Sequence, residues 1–392
     1  MSKICIKEVI AKLESGSRPK GGASTTEGIP SLGAEHLSYE GRIVFSKPKY
    51  IEQSFYDQLK SGILKDQDVL IVKDGATTGK VAIWMSEFEK ACINEHVFRI
   101  EIDSNKALPK YIFYFLISSY GNNQVLKDFR GATVGGISRS FVDKVKMSMP
   151  SLSEQKQIVR ILDTADTLRQ KRKEQLKLLD DYLKSVFFEM FGDPLRNEKK
   201  FDVVPIRETV VDVKYGTSKK ANIRKGQFPI LRMNNITYSG EWNFTDLKYI
   251  DLETNEIEKY TVKKGDLLFN RTNSKELVGK TAVFNSDQVM VYAGYLIRCR
   301  FDKKKANPVY VSYFLNSSYG KSKFSHMCKN IVGMANINAQ ELQDINIILP
   351  PADLQNKFAS IVEQVEQTKQ KMRASLDEMD NHFNALMQRY FG

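Results

Sequence analysis

A phosphate-binding loop needs glycines at its bends and a lysine followed by serine or threonine. Gly75-Ala76-Thr77-Thr78-Gly79-Lys80 comes near this pattern, but it is one residue short and Val81 follows the lysine. Gly279-Lys280-Thr281 has the right end, yet Ser274 stands where the first glycine belongs. The Gly-Lys pair recurs at corresponding places in the two halves of the chain, so a shared β-turn accounts for both. Asn307-Pro308-Val309-Tyr310 is similar to the Asn-Pro-Pro-Tyr loop of adenine methyltransferases without its second proline, and no glycine-rich strand–loop precedes it. Asp212-Val213-Lys214 fits the acidic-x-Lys tail of some nucleases, a pattern too short to distinguish in so charged a chain. The 4 histidines and 4 cysteines lie in no metal-ligand or disulfide spacing, and no nucleophile–base arrangement can be placed. No catalytic residue, no bound cofactor and no metal site is expected on this chain.

A second chemistry is better represented. Lysine and arginine beside glycine turns neutralise phosphates, while arginine and asparagine can pair with base edges. In the first half such residues fall in predicted loops at Arg18, Lys20, Lys73, Thr77, Thr78, Arg130 and Arg139. In the second half they are Lys219, Lys220, Arg224, Asn234, Asn270, Arg271, Asn273, Lys329 and Asn336. Any one of them alone reads as a solvated loop side chain. As a set they gain weight from the net charge of +12, which argues for an anionic partner. They also fall at equivalent places while their identities differ: Gly79-Lys80 is kept as Gly279-Lys280, but Thr77-Thr78 becomes Leu277-Val278. A framework that repeats while its loops diverge suits two modules reading different sequences.

The elements that must hold these loops come in two copies. GIPSLGAEHLSYEG (28–41) parallels QFPILRMNNITYSG (227–240), LKDQDVLIV (64–72) parallels VKKGDLLFN (262–270), and YFLISSYG (114–121) parallels YFLNSSYG (313–320). Short β-type runs alternate with Gly- and Asn-rich turns, and helices are predicted after Pro109 and Pro308. Each copy closes with a stretch lacking internal glycine and proline, 152–191 and 352–391. The first carries a seam with steps of three and four through Ile158, Ile161, Ala165, Leu168, Arg172, Leu176, Leu179 and Leu183. The second repeats it 200 positions later through Phe358, Ile361, Val365, Thr368, Met372, Leu376, Met379 and Phe383. Matched seams predict two long helices packed on each other, with Arg172 and Met372 at a shared stutter. The expected domains are 1–150, a helix at 151–192, a linker at 193–201, a second globular part at 202–350, and a helix at 351–392. A length of 392 residues with 42% apolar content supports more than one real core. No run of 18 apolar residues is present and the N-terminal segment has no signal-peptide core, so a cytoplasmic protein without a membrane partner is expected.

At this point the residues match a family. The duplication, the starts MPSLSEQKQIVRIL (149–162) and LPPADLQNKFASIV (349–362), and the Phe-Gly-Asp-Pro at 191–194 resemble the DNA specificity subunit of type I restriction–modification systems. The resemblance covers essentially the whole chain. It implies an α+β protein with two tandem mixed α/β target recognition domains, separated by two long helices that form an antiparallel coiled coil. It further implies double-stranded DNA with a bipartite site as ligand, and two methyltransferase subunits docked on the helices. Those subunits would bind S-adenosylmethionine, and restriction/translocase subunits would join the full complex near the prokaryotic nucleoid. The competing readings are a coiled-coil interaction adaptor without DNA specificity, a tandem RNA-binding protein, and a catalytic methyltransferase or nuclease.

Overall fold

The computed structural model describes residues 3–24, 26–131, 135–328 and 333–392. The chain forms two compact units, residues 1–174 with 373–392 and residues 175–372. Each of the two long helices is divided between the units.

Both units share one plan. In the first, a four-stranded antiparallel sheet runs in the order Ile10–Ser15, Val97–Ile102, Val69–Val72, Val81–Ile83. In the second the order is Val210–Tyr215, Leu296–Phe301, Leu267–Asn270, Thr281–Val283. Even the irregularity near the start of the first strand repeats, between Ile10 and Lys12 and between Val210 and Asp212. A three-stranded sheet packs beside each, centred on Ile29–Leu32 and on Phe228–Leu231. The run Val69–Val72 is apolar at every position because both faces of its strand are covered. Val69 and Ile71 join the core under the helices, while Leu70 and Val72 join a second core with Leu32 and Trp84.

The most similar pair of segments in the two copies has a local cause. Pro109–Ile117 and Pro308–Asn316 are helices, each followed at once by another, Ser119–Leu126 and Ser318–Met327. The joining serines, Ser118 and Ser317, cap the second helices by accepting from the N–H of Gly121 and Gly320. A Cβ at Gly121 would stand 2.0 Å from the Phe115 carbonyl, and one at Gly320 2.2 Å from that of Leu315. The bend admits only glycine there.

The long helices run Leu152–Phe191 and Ala352–Phe391, 40 residues each. In the first unit the start of the first helix packs with the end of the second: Val159 and Leu162 share a core with Met387 and Phe391, and Phe391 lies 5.3 Å from Tyr111. In the second unit the pairing is reversed, with Leu183, Phe187 and Phe191 against Phe358, Val362 and Val365. Within each unit the helix halves are thus antiparallel. Burying a phenylalanine of this kind stabilises its unit by roughly 1.5–3 kcal/mol.

Two seam positions need correction. Leu168 is 52% exposed, and Arg169 takes its place facing the partner helix, where it pairs with Asp380. Thr368 is likewise exposed and Lys369, 1% accessible, takes the inward place. Ile158 and Ile161 are half-buried beside the fully inward Val159 and Leu162. The 3-4 pattern had followed the aliphatic residues and missed the cations that stand at the same turn in both helices.

Candidate functional site

The near-motifs for catalysis are absorbed by the fold. Gly79 and Gly279 take positive φ of 90° and 86° in the turn between two strands. Lys280 is buried and donates to the carbonyls of Met233 and Ile236, and burial lowers its pKa. Lys80 lies 4.4 Å from the centre of the Tyr39 ring. Asn307 caps a helix by accepting from Val309 N–H, and Tyr310 donates to the Ile348 carbonyl. Asp212 is paired with Arg298 and Lys214. The carboxylates of Asp180, Glu241 and Glu366 approach one another closely enough to hold an ion. The ammonium group of Lys369 already stands among them, 2.6 Å from Asp180 and 2.8 Å from Glu366, with Glu241 as a third partner. Burial alone would lower the pKa of Lys369; the three carboxylates hold it above the ordinary lysine value.

What the structure does gather is a polar patch at the same place in each unit. Lys73 N–H donates to the His96 carbonyl, and the Lys73 carbonyl accepts from Ile137 N–H. Arg271 N–H donates to the Tyr295 carbonyl, and the Arg271 carbonyl accepts from Ile337 N–H. The loop after the third strand of the four-stranded sheet is therefore tied to the same two segments in both units. These bonds make Lys73 equivalent to Arg271, Asp74 to Thr272, His96 to Tyr295, and Gly136 to Asn336.

On this common frame the side chains differ. In the first unit His96 Nδ1 lies 2.5 Å from Asp74, and Arg18 pairs with Glu95 at 2.7 Å. Arg130 bridges by its backbone to Gly136, beside Asp74, and its side chain reaches Asp128 at 3.5 Å. Asp128 also holds Lys144 and the Ser138 N–H and hydroxyl; burial opposes its charge, but these partners bring its pKa down to about 2. In the second unit Arg271 stacks on Tyr215, 4.8 Å from the ring centre. Asn336 accepts from the Thr272 hydroxyl at 3.0 Å, across a two-stranded pairing of Thr272–Asn273 with Ala335–Asn336.

Of the residues expected from the sequence, Arg18, Lys73 and Arg130 come together in the first unit, and Arg271, Asn273 and Asn336 in the second. Thr77 and Thr78 form the adjoining turn, where Thr78 donates to the Gly75 carbonyl. Lys20, Arg139, Lys220, Arg224 and Asn234 are exposed. Lys219 is drawn to Glu256 and Glu253. Asn270 requires correction: it is fully buried and its amide donates inward to the Leu277 carbonyl, so it cannot meet a ligand. Lys329 lies outside the described residues. The sequence reading passed over Asp74, Glu95, His96 and Tyr215, because it sought basic and amide groups. The signal was present in the repeat, where an acid faces a neutral residue at each equivalent place.

Beneath the patches lie buried charges that the sequence reading also missed. Arg99 is held by Asp68, Glu14 and Glu101, and Arg298 by Asp212. Burial would raise the Glu14 pKa, but Lys12, Gly62 N–H and Arg99 together keep it below its ordinary value. Gln155 and Gln355, both fully buried, explain the Glu-Gln and Leu-Gln helix starts. Each accepts from a backbone N–H before the Pro-initiated helix, Leu108 or Asn307, and donates to the carbonyl of Pro150 or Pro350. They fasten the long helices to their units.

Among the described residues no helix is long and apolar enough to cross a membrane. The family model for the type I restriction modification DNA specificity domain matches residues 1–178 and again 198–378. The type I restriction enzyme EcoKI specificity subunit of Escherichia coli K12 is 26% identical over 272 residues, covering 66% of this chain and 58% of that one. The StySPI specificity subunit of Salmonella potsdam is 25% identical over 272 residues, with the same coverage of 66% and 58%. The matches thus span less than two thirds of the length of these relatives. Among solved structures, the type I restriction–modification S subunit from M. genitalium shares the fold with a TM-score of 0.61 at 14% identity, covering 100% of this chain and 96% of that one. The two matched regions are the two copies seen in the sequence, each with the common frame and its own polar patch: the chain belongs to the type I restriction–modification DNA specificity family and carries its domain twice.

Proposed function

We propose that this chain is the DNA specificity subunit of a type I restriction–modification enzyme, in which each unit reads one half of a bipartite duplex target. The observation that carries this reading is the repeated frame with divergent polar patches, on a chain of net charge +12. Phosphate neutralisation supplies affinity and the differing side chains supply sequence. The chain is a targeting subunit and makes or breaks no bond. Two methyltransferase subunits dock on the paired helices, bring S-adenosylmethionine and methylate adenine, and restriction subunits join them. The helices, each about 60 Å long at 1.5 Å per residue, set the unread spacer. An adaptor without DNA specificity would have no use for two unlike polar patches on one frame.

The test is the adenine-methylation profile of the host genome with and without this chain. Loss of one bipartite motif on deletion, restored by the wild-type chain, is the expected result. An unchanged profile overturns the proposal.

A further inference from the structure

We infer, resting on the reading above that each unit meets duplex DNA, that Arg271 is a specificity-determining residue of the second unit. Its two terminal nitrogens pair with O6 and N7 of one guanine, and Tyr215 is its positioning residue.

The Arg271 peptide is fixed on both sides, by the Tyr295 carbonyl and by Ile337 N–H. Its guanidinium lies over the Tyr215 ring, 4.8 Å from the centre. That ring is itself held: the Tyr215 hydroxyl accepts at 2.8 Å from the N–H of Ala339, where the short helix Ala339–Gln343 begins. Stacking fixes the plane of a guanidinium, and a fixed plane matters for a two-pronged contact rather than for a point charge. Arg271 Nε is buried, so the side of the group is closed to a ligand. Nη1 sends one N–H to the Gly294 carbonyl at 3.5 Å and keeps its second, while Nη2 makes no hydrogen bond among the described residues. The end-on fork of a partly exposed side chain therefore remains. Guanine offers such a fork two acceptors, O6 and N7, on its major-groove edge.

In the first unit the aromatic support is kept while the cation differs. At the end of the first strand the facing residues are Ser15 and Phe98, and in the second unit Tyr215 and Ile297. Lys73, the match of Arg271, has its Nζ 5.6 Å from the Phe98 ring centre. A ring thus lies beside the cation in both units, supplied by opposite members of one cross-strand pair. The charge balance also differs. Lys73 has Asp74 at 3.8 Å, Arg18 has Glu95 and Arg130 has Asp128. Among the described residues Arg271 pairs with no carboxylate, because Thr272 and Gly294 stand at the places of Asp74 and Glu95. A partly buried guanidinium without a counter-ion favours a ligand that brings acceptors to it.

The experiment is the same methylation profile, read for complemented strains carrying variants of the full chain. Arg271→Lys keeps the charge and removes the fork. It is expected to lower the preference for guanine by roughly tenfold or more at one position of one half-motif, leaving the other half unchanged. Tyr215→Leu is expected to relax the same position, and Tyr215→Phe, which keeps the ring, to retain it. Methylation lowered by Arg271→Lys at all sites alike, with the motif intact, would mark a phosphate contact and overturn the inference. A purely structural role for Tyr215 would likewise leave base preference as it was in Tyr215→Leu, and that result overturns its positioning role. Wild-type complementation that restores a bipartite motif, with variants that leave both halves unchanged, overturns this inference and spares the reading beneath it. Deletion without any effect on methylation overturns both. Should Arg271→Lys abolish methylation altogether, Tyr215→Leu decides: one relaxed position supports the assignment, and an unrelaxed motif or none overturns it.

Discussion

At the turn where the seam was misread, the two units solve one problem with different charges. In the first unit Arg169 meets Asp166 and Asp380, and Arg42 from the loop after Gly41 also reaches Asp166. In the second unit Lys369 meets Glu366 and Asp180, the residues 200 positions from Asp166 and Asp380, and Glu241 from the loop after Gly240 completes the set. The cation and its two helix carboxylates are retained; the residue contributed by the globular part changes sign. Around Arg169 two cations therefore meet two acids, and Lys369 itself meets three acids. The inward position 169/369 is the hub of the docking, while position 42/241 is adjustable. Recognition patches and docking loops have both diverged, on a frame that has not.

The largest expected effect follows from the hub. Lys369→Met keeps the aliphatic stem but leaves Asp180, Glu241 and Glu366 without their shared counter-ion, a loss of about 3 kcal/mol for a pair broken on one side in a buried setting. Arg169→Met should cost less, about 1–2 kcal/mol, because Asp166 retains Arg42 and Arg169 is itself less deeply buried than Lys369. Denaturant unfolding of the two variants, compared with wild type, measures the difference. Equal costs would show that the third carboxylate is not held by Lys369.

How much of this could be read from the residues alone depends on the range of the interaction involved. The duplication, the helices after Pro109 and Pro308, and the two long helices were legible because their signals are local: a proline, a periodic apolar face, an SSYG bend. The inward cations at 169 and 369 were not legible, since a period count favours Leu168 and takes an arginine or lysine beside it for a surface residue. The acids at 166 and 366, one turn earlier on the same helix, are joined by those at 380 and 180, a whole repeat away, and only the full set makes burial tolerable. The same holds at the polar patches. Asn270 looked like its neighbours Arg271 and Asn273, but it is the last residue of a strand buried at every position, and Asp74 mattered only once its partner His96 was placed beside it.

A smaller effect tests whether the loop position is as adjustable as the comparison holds. Glu241→Arg reproduces in the second unit the pattern of the first, with a loop arginine beside Glu366 as Arg42 lies beside Asp166. Although it reverses a charge that contacts Lys369, the expected cost is under about 1 kcal/mol, the range of partly exposed pairs. The mirror variant Arg42→Glu should behave alike. A loss above about 2 kcal/mol in either variant, by the same denaturant measurement, would mean that the two loops are not equivalent docking elements.

The smallest effect concerns a pair outside the hub. Asn122 and Lys321 follow the matching glycines Gly121 and Gly320. Asn122 donates to the Gly79 carbonyl at 2.6 Å, while Lys321 donates to the Tyr238 carbonyl at 3.0 Å and lies over the Tyr238 ring. Burial, with Lys184 adding repulsion, pulls the Lys321 pKa down to about 8 from its ordinary 10.5. Between these values the unfolded chain keeps a proton that the folded chain has released, so stability attributable to Lys321 rises with pH across that window and is lowest below pH 8. Partial exposure screens the effect to under about 1 kcal/mol. In Lys321→Asn, which installs the first unit's residue, this rise is expected to vanish, so the difference in melting temperature between variant and wild type should change between pH 8 and 10 and stay flat from pH 6 to 7.5. A difference that is constant throughout would show that Lys321 carries its charge as easily as a surface lysine, and that burial at this position does not separate the two units.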